Sequence, residues 1–109
     1  MVQLKRFKFS STFRNKLTTL VDFPLYNLDL SSFITEQGYL KSLGVELNYD
    51  LYGIINHFGS LHFGHYTSTV KNLTDNKWYQ YDDSSRTLIQ EDHIQKEAAY
   101  ILFYIRKDV

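Results

Sequence analysis

Cysteine is missing from this chain altogether, and its absence excludes disulfides, cysteine-ligated zinc and a thiol nucleophile drawn from these residues. A charge of one sign is missing too. Twelve basic and twelve acidic residues give a formal net charge of zero, which leaves no electrostatic footprint for nucleic acid or an anionic membrane. A partner is then recognised by shape and hydrogen bonds. No apolar run approaches the roughly 20 residues that span a bilayer, and Met1 leads into Val2-Gln3-Leu4-Lys5-Arg6 without the apolar centre of a signal peptide. The expectation is a soluble intracellular protein, cytoplasmic, nuclear or both. What is present is a core-forming mixture, 43% apolar, 17% aromatic and 22% charged over 109 residues. That length suits one small domain or part of a larger one, since domains cluster around roughly 100–150 residues.

Val2 to Phe9 mixes β-branched, aromatic and charged residues and reads as a half-exposed strand. Ser10-Ser11-Thr12 and Asn15 break it, and Leu17 to Phe23 reads as a second strand, stopped where Pro24 removes a ladder donor. Leu28 to Ile34 suggests a short helix with Asp29 as N-cap. Thr35 to Leu47 carries no clear period and reads as loop. Tyr49 to Phe58 is a long aromatic and aliphatic strand ended by Gly59. His65 to Asn72, the turn Leu73-Thr74-Asp75-Asn76 and Lys77 to Asp82 form the clearest hairpin. Glu91 to Ala98 suggests a second short helix, and Ala99 to Arg106 a last strand. About six strands and two short helices, too few helices for a parallel doubly wound sheet, predict an α+β fold that is mostly antiparallel β.

The densest chemistry lies in Asn56-His57-Phe58-Gly59-Ser60-Leu61-His62-Phe63-Gly64-His65-Tyr66, where glycines allow close approach to an extended peptide. His65 opens one hairpin strand and Asp82 closes the other. If Leu73 to Asn76 form the loop, Asn72 faces Lys77, Thr67 faces Asp82 and His65 faces Ser84. His65 and Asp82 then share a face as diagonal neighbours, with Cα atoms roughly 7–8 Å apart, and Asp83 points to the opposite face. A loop of odd length would exchange the two aspartates. A carboxylate on one imidazole nitrogen fixes the tautomer and leaves the other nitrogen free to take a proton, the base-and-orienter half of a catalytic triad.

Leu4-Lys5-Arg6-Phe7, Gly64-His65-Tyr66-Thr67, Trp78-Tyr79-Gln80-Tyr81-Asp82-Asp83-Ser84 and Ala98-Ala99-Tyr100-Ile101-Leu102-Phe103-Tyr104 resemble, in order and spacing, segments of the ubiquitin-specific proteases, ubiquitin carboxyl-terminal hydrolases of papain-like fold. The resemblance spans essentially the whole chain and implies that 1–109 is the C-terminal, His-box part of such a catalytic domain. It also implies a general base in His65, an orienting carboxylate in Asp82 and a supporting role for Asp83. His57, Phe58, Gly59 and Gly64 would belong to a blocking loop over the ubiquitin tail, with 9–16 in the place of the other, and Tyr66 would line the tail channel. The family hydrolyses the amide after ubiquitin's terminal glycine by thiolate attack. The cysteine motif of that family is absent here, as are its paired zinc cysteines, so these residues alone are expected to be inactive and to need a Cys-bearing half. The implied partners are that half and ubiquitin or ubiquitinated proteins, with no cofactor.

Blander readings stand beside these. His57, His62 and His65 match no familiar zinc spacing, so no metal is expected. His57 and His62 read as residues of a mobile loop and His93 as an ordinary helix residue. Trp78, Tyr79 and Tyr81 read as packing, and Lys5, Arg6 and Lys8 as a solvated strand face. Two other functions compete: a non-catalytic ubiquitin-binding module or dead relative, and a hydrolase using Ser60 or Ser84 with His65.

Overall fold

Asn48-Tyr-Asp-Leu-Tyr-Gly-Ile-Ile-Asn-His-Phe58 is rich in residues that fit a pleated, half-buried surface, and all eleven form one strand around which the sheet is built. The computed structural model describes residues 1–9, 14–17, 20–33, 47–60 and 63–107. Its strands are β1 (Val2–Gln3), β2 (Phe7–Phe9), β3 (Arg14–Lys16), β4 (Leu28–Asp29), β5 (Asn48–Phe58), β6 (His65–Asn72), β7 (Lys77–Asp82), β8 (Ser85–Ile89) and β9 (Ala99–Arg106). Seven of them make one sheet in the order β1-β9-β5-β6-β7-β8, with β4 also on β5, while β2 and β3 form a separate ribbon. Every pairing is antiparallel, the mostly-β architecture that the short turns and scarce helical periodicity predict.

One face of the sheet carries the core. Register aligns Ile54 with Thr69 and Leu102, and Thr69 with Gln80. Ile54, Trp78 and Leu102 are buried there together with Leu51, Ala99 and Phe23. The segment holding Phe23 is in no strand, and it is fastened by the Leu51 N–H, which donates to the Leu25 carbonyl at 2.8 Å, and by side chains. Lys96 Nζ lies 4.9 Å from the Phe23 ring centroid and donates to Asp22 Oδ1 and the Phe23 carbonyl, both at 2.7 Å. Tyr104 donates to the Pro24 carbonyl at 2.7 Å, and burial pushes its phenol up to about 12.

Several expectations need correction. The N-terminal strand is split: β1 joins β9, β2 leaves for the ribbon, and Arg6 between them is buried rather than solvated, at 3% exposure. Its Nε donates to the Ala99 carbonyl at 2.5 Å and its guanidinium also reaches the Leu17 carbonyl. The partner of β2 is Arg14–Lys16 and not Leu17 to Phe23, since Leu17 and Leu20 to Phe23 are outside any strand. The break at 10–13 and most of the loop at 35–47 lie outside the described residues.

Neither short helix is as long as the patterns suggest. Leu28 and Asp29 pair with β5, and only Ser31–Phe33 winds into a 3-10 turn, its first N–H held by Asp29 Oδ1 at 2.9 Å. Glu91–His93 is likewise a single 3-10 turn, because Ile94 turns extended at φ −65°, ψ 121°. The strand β8 was not expected at all. It pairs with β7 through Asp82 and Ser85, leaving Asp83-Ser84 as a two-residue turn, with Asp83 at φ 51°, a conformation Asp tolerates better than most residues.

Candidate active site

The β6–β7 hairpin has the register the counting predicts, Asn72 facing Lys77 and Ser68 facing Tyr81. His65, at the start of β6, and Asp82, at the end of β7, therefore project from the same face, and His65 Nε2 lies 2.7 Å from Asp82 Oδ1. With Nε2–H donated to the carboxylate, Nδ1 carries the lone pair and is the nitrogen left for a nucleophile. Both side chains are about half exposed, at 48% and 51%. The hydrogen bond to Asp82 raises the His65 pKa above its ordinary value, with the charges of Asp82 and then Asp83 adding to it.

Asp83 does not point away. It sits in the turn rather than in a strand, so alternation no longer governs it, and its carboxylate, that of Asp82 and the His65 imidazole have donor atoms within 4.8 Å of one another. The cause is the strand that follows: β8 makes Asp82 the last ladder residue before a tight turn. Asp83 also lines, with Ile55, Tyr66, Thr67, Ser68 and Tyr81, an open depression of about 290 Å³, and Ile55, Ser68 and Tyr81 are aligned on the face opposite Thr67 and Thr69.

Beneath the pair the strands are bound by a buried polar row. Asn56 faces Thr67 in register, and its Nδ2 donates to Thr67 Oγ1 and Thr69 Oγ1, each at 3.3 Å. All three residues are buried. A lone Asn in an aromatic strand gave no sequence signal for this role beyond its polarity.

The blocking-loop candidates separate. Strand β5 runs through Phe58, so the connection begins at Gly59, whose φ of +86° turns the chain out of the ladder. Phe58 is partly exposed beside it, and Phe63 is 91% exposed. His57 is not a loop residue: it is 1% exposed within β5, and its ring lies among Phe7, Tyr66 and Tyr100. His62 lies outside the described residues. Ser60 Oγ accepts the Phe63 N–H at 3.2 Å, which sets it to closing the loop. His93 is exposed in its 3-10 turn. No helix among the described residues is long and apolar enough to cross a membrane.

The sheet and the imidazole–carboxylate pair at its end define the histidine-bearing portion of a papain-like hydrolase fold. The chain belongs to the ubiquitin carboxyl-terminal hydrolase family, whose model matches residues 1–104. It is 45% identical over 108 residues to ubiquitin carboxyl-terminal hydrolase 15 of Homo sapiens, covering 99% of this chain and 10% of that protein. It is 42% identical over 107 residues to ubiquitin carboxyl-terminal hydrolase 5 of Arabidopsis thaliana, covering 98% and 11%. Among solved structures, the SAGA Ubp8/Sgf11/Sus1/Sgf73 DUB module matches with a TM-score of 0.79 and 31% identity over 96% of this chain and 22% of that one. The same module bound to ubiquitin aldehyde matches at 0.77 and 29%, over 96% and 23%. The chain thus spans about a tenth of the length of these curated relatives, and a C-terminal portion of the domain fits the match.

Proposed function

We propose that this chain is the His/Asp-bearing part of a deubiquitinating cysteine protease that hydrolyses the bond after the C-terminal glycine of ubiquitin. The observation that carries the reading is the 2.7 Å bond from His65 Nε2 to Asp82. It leaves Nδ1 as the base for whatever thiol is brought there. Asp82 holds the tautomer and stabilises the imidazolium once the thiol proton has moved. Asp83, in the turn beside them, adds negative charge and supports the site. Gly59, Gly64, Phe58 and Tyr66 serve the ubiquitin tail, where narrow walls admit glycines and exclude bulkier peptides. His57 contributes to that wall from beneath.

The chain contains no cysteine, so these 109 residues supply the base and require the nucleophile from a Cys-bearing half, in an intracellular setting where a thiolate persists. Incubation with a ubiquitin C-terminal fluorogenic reporter tests this, first with the chain alone and then with the Cys-bearing half of a relative. Turnover is expected only in the second case. Turnover by the chain alone would sink the assignment of its roles. A fluorophosphonate label on Ser60 or Ser84 would instead move the nucleophile into this chain.

A further inference from the structure

Both neighbours of His65 in the chain rest on one buried imidazole. His57 pairs in register with Tyr66, and the two rings lie 4.8 Å apart at 59°. Phe7 meets the His57 ring edge-on at 5.3 Å and 74°, and Tyr100 stands 6.1 Å away. On the other side of His65, a methyl group added to Gly64 would overlap His57 Nε2, approach Cε1 to 2.6 Å and crowd the Ser60 carbonyl at 2.7 Å. The backbone of Gly64 is thus seated on the ring. The strand that carries the ring is anchored, since the backbone N–H of His57 donates to the Ala98 carbonyl at 2.9 Å.

Side chains alternate along a strand, so Tyr66 faces His57 while His65 faces Asp82. The imidazole of His65 is half exposed, and a half-exposed ring takes its place mainly from the backbone that carries it. We propose that His57 is a positioning residue, whose ring sets the height and tilt of the Gly64–Tyr66 backbone and thereby the reach of His65 to Asp82. The catalytic importance of that reach rests on the function proposed above. A five-membered ring fits the space. A larger one would lift Gly64, and alanine would leave a void into which the strand end settles.

The test is a nitrogen NMR titration of the His65 imidazole in the 109-residue chain and in His57→Phe, His57→Ala, Gly64→Ala and the His57→Ala/Gly64→Ala double variant. Circular dichroism and Trp78 fluorescence report the fold. In each folded single variant the His65 midpoint is expected to fall toward the ordinary histidine value, while signals from Asp75 and Tyr79 at the far end of the hairpin stay in place. The Gly64→Ala shift should shrink in the double variant, where the ring atoms that its methyl strikes are gone. With the Cys-bearing half added, kcat on the ubiquitin reporter should drop roughly 100-fold, as misplacement of a catalytic group by about 1 Å does. A folded Gly64→Ala chain whose His65 titrates as the parent overturns the proposal. So does failure of both Gly64→Ala and the His57 variants to fold, because the ring would then serve the fold as a whole. The shifts without any ubiquitin hydrolysis uphold the positioning role and sink the enzymatic reading, and hydrolysis with unmoved titration does the reverse.

Discussion

The two ends of the β6–β7 hairpin are built by different means. At the turn end, Asn72 Oδ1 accepts the Thr74 N–H and Asp75 Oδ1 the Lys77 N–H, both at 2.9 Å, and Tyr79 donates to Asp75 Oδ2 at 2.6 Å. Every one of those partners lies within four residues of the other. At the site end, His65 meets Asp82 across 17 residues. Its floor is made with Phe7 and Tyr100, and Arg6 reaches Ala99 across 93 residues. Local closure costs little chain entropy, whereas the site needs distant segments to be ordered together. The turn end is therefore expected to matter to folding alone, and the exposed His65–Asp82 pair at the site end to chemistry.

The sharpest way to break this comparison is Asp82→Asn. It keeps the shape but abolishes the charge that holds the imidazole, and hydrolysis by the complemented chain should fall by on the order of 10³–10⁴. Thermal melting should leave the fold nearly unmoved, because both groups are half exposed. A fold that collapses with Asp82→Asn would erase the distinction between the ends.

Asn56→Ala sharpens it from below. Thr67 and Thr69 would lose their shared donor inside the sheet, and urea unfolding should show a loss of about 1–3 kcal/mol.

Acidity separates the ends as well. His65 is raised by Asp82, so the pair's contribution is fully present below the ordinary histidine value and is lost as pH climbs through the raised one. Asp75 is lowered, first by the Tyr79 hydroxyl and then by the Lys77 amide. Its contribution is present above the ordinary carboxylate value and is lost as pH falls through the lowered one. Proton and nitrogen NMR titrations should therefore show the two ends of one hairpin loosening in opposite directions of pH.

The smallest effect is expected from Asp75→Ala, which removes the acceptor for Lys77 and Tyr79. The melting midpoint should drop slightly, and reporter turnover by the complemented chain should not change.

Much of the hairpin was legible because it is local. Leu73, Thr74, Asp75 and Asn76 spell a four-residue turn, and period-two counting from that turn brings His65 beside Asp82. The same counting failed one residue later. Asp83 was assigned to the far face because β8 was not recognised, and Ser85-Arg86-Thr87-Leu88-Ile89 lacks the aromatic density that marked the other strands. Arg6 and His57 failed for a different reason. A basic run reads as a solvated face and a histidine two residues before Gly59 reads as loop, and only β9 and the ribbon show that both are enclosed. The short helices shrank because one turn of apolar spacing cannot outweigh strand pairing at Leu28–Asp29 or the extended Ile94.

By itself, the order of residues determined the pairing of β6 with β7, the turn between them and the absence of a thiol. Those properties are written in neighbouring residues, through side-chain alternation and turn chemistry. Tertiary structure decided that Asp83 joins the pair, that Arg6 is buried and that His57 underlies Gly64. Each depends on segments that meet only after the chain has closed long loops, and no local pattern encodes which distant backbone will arrive.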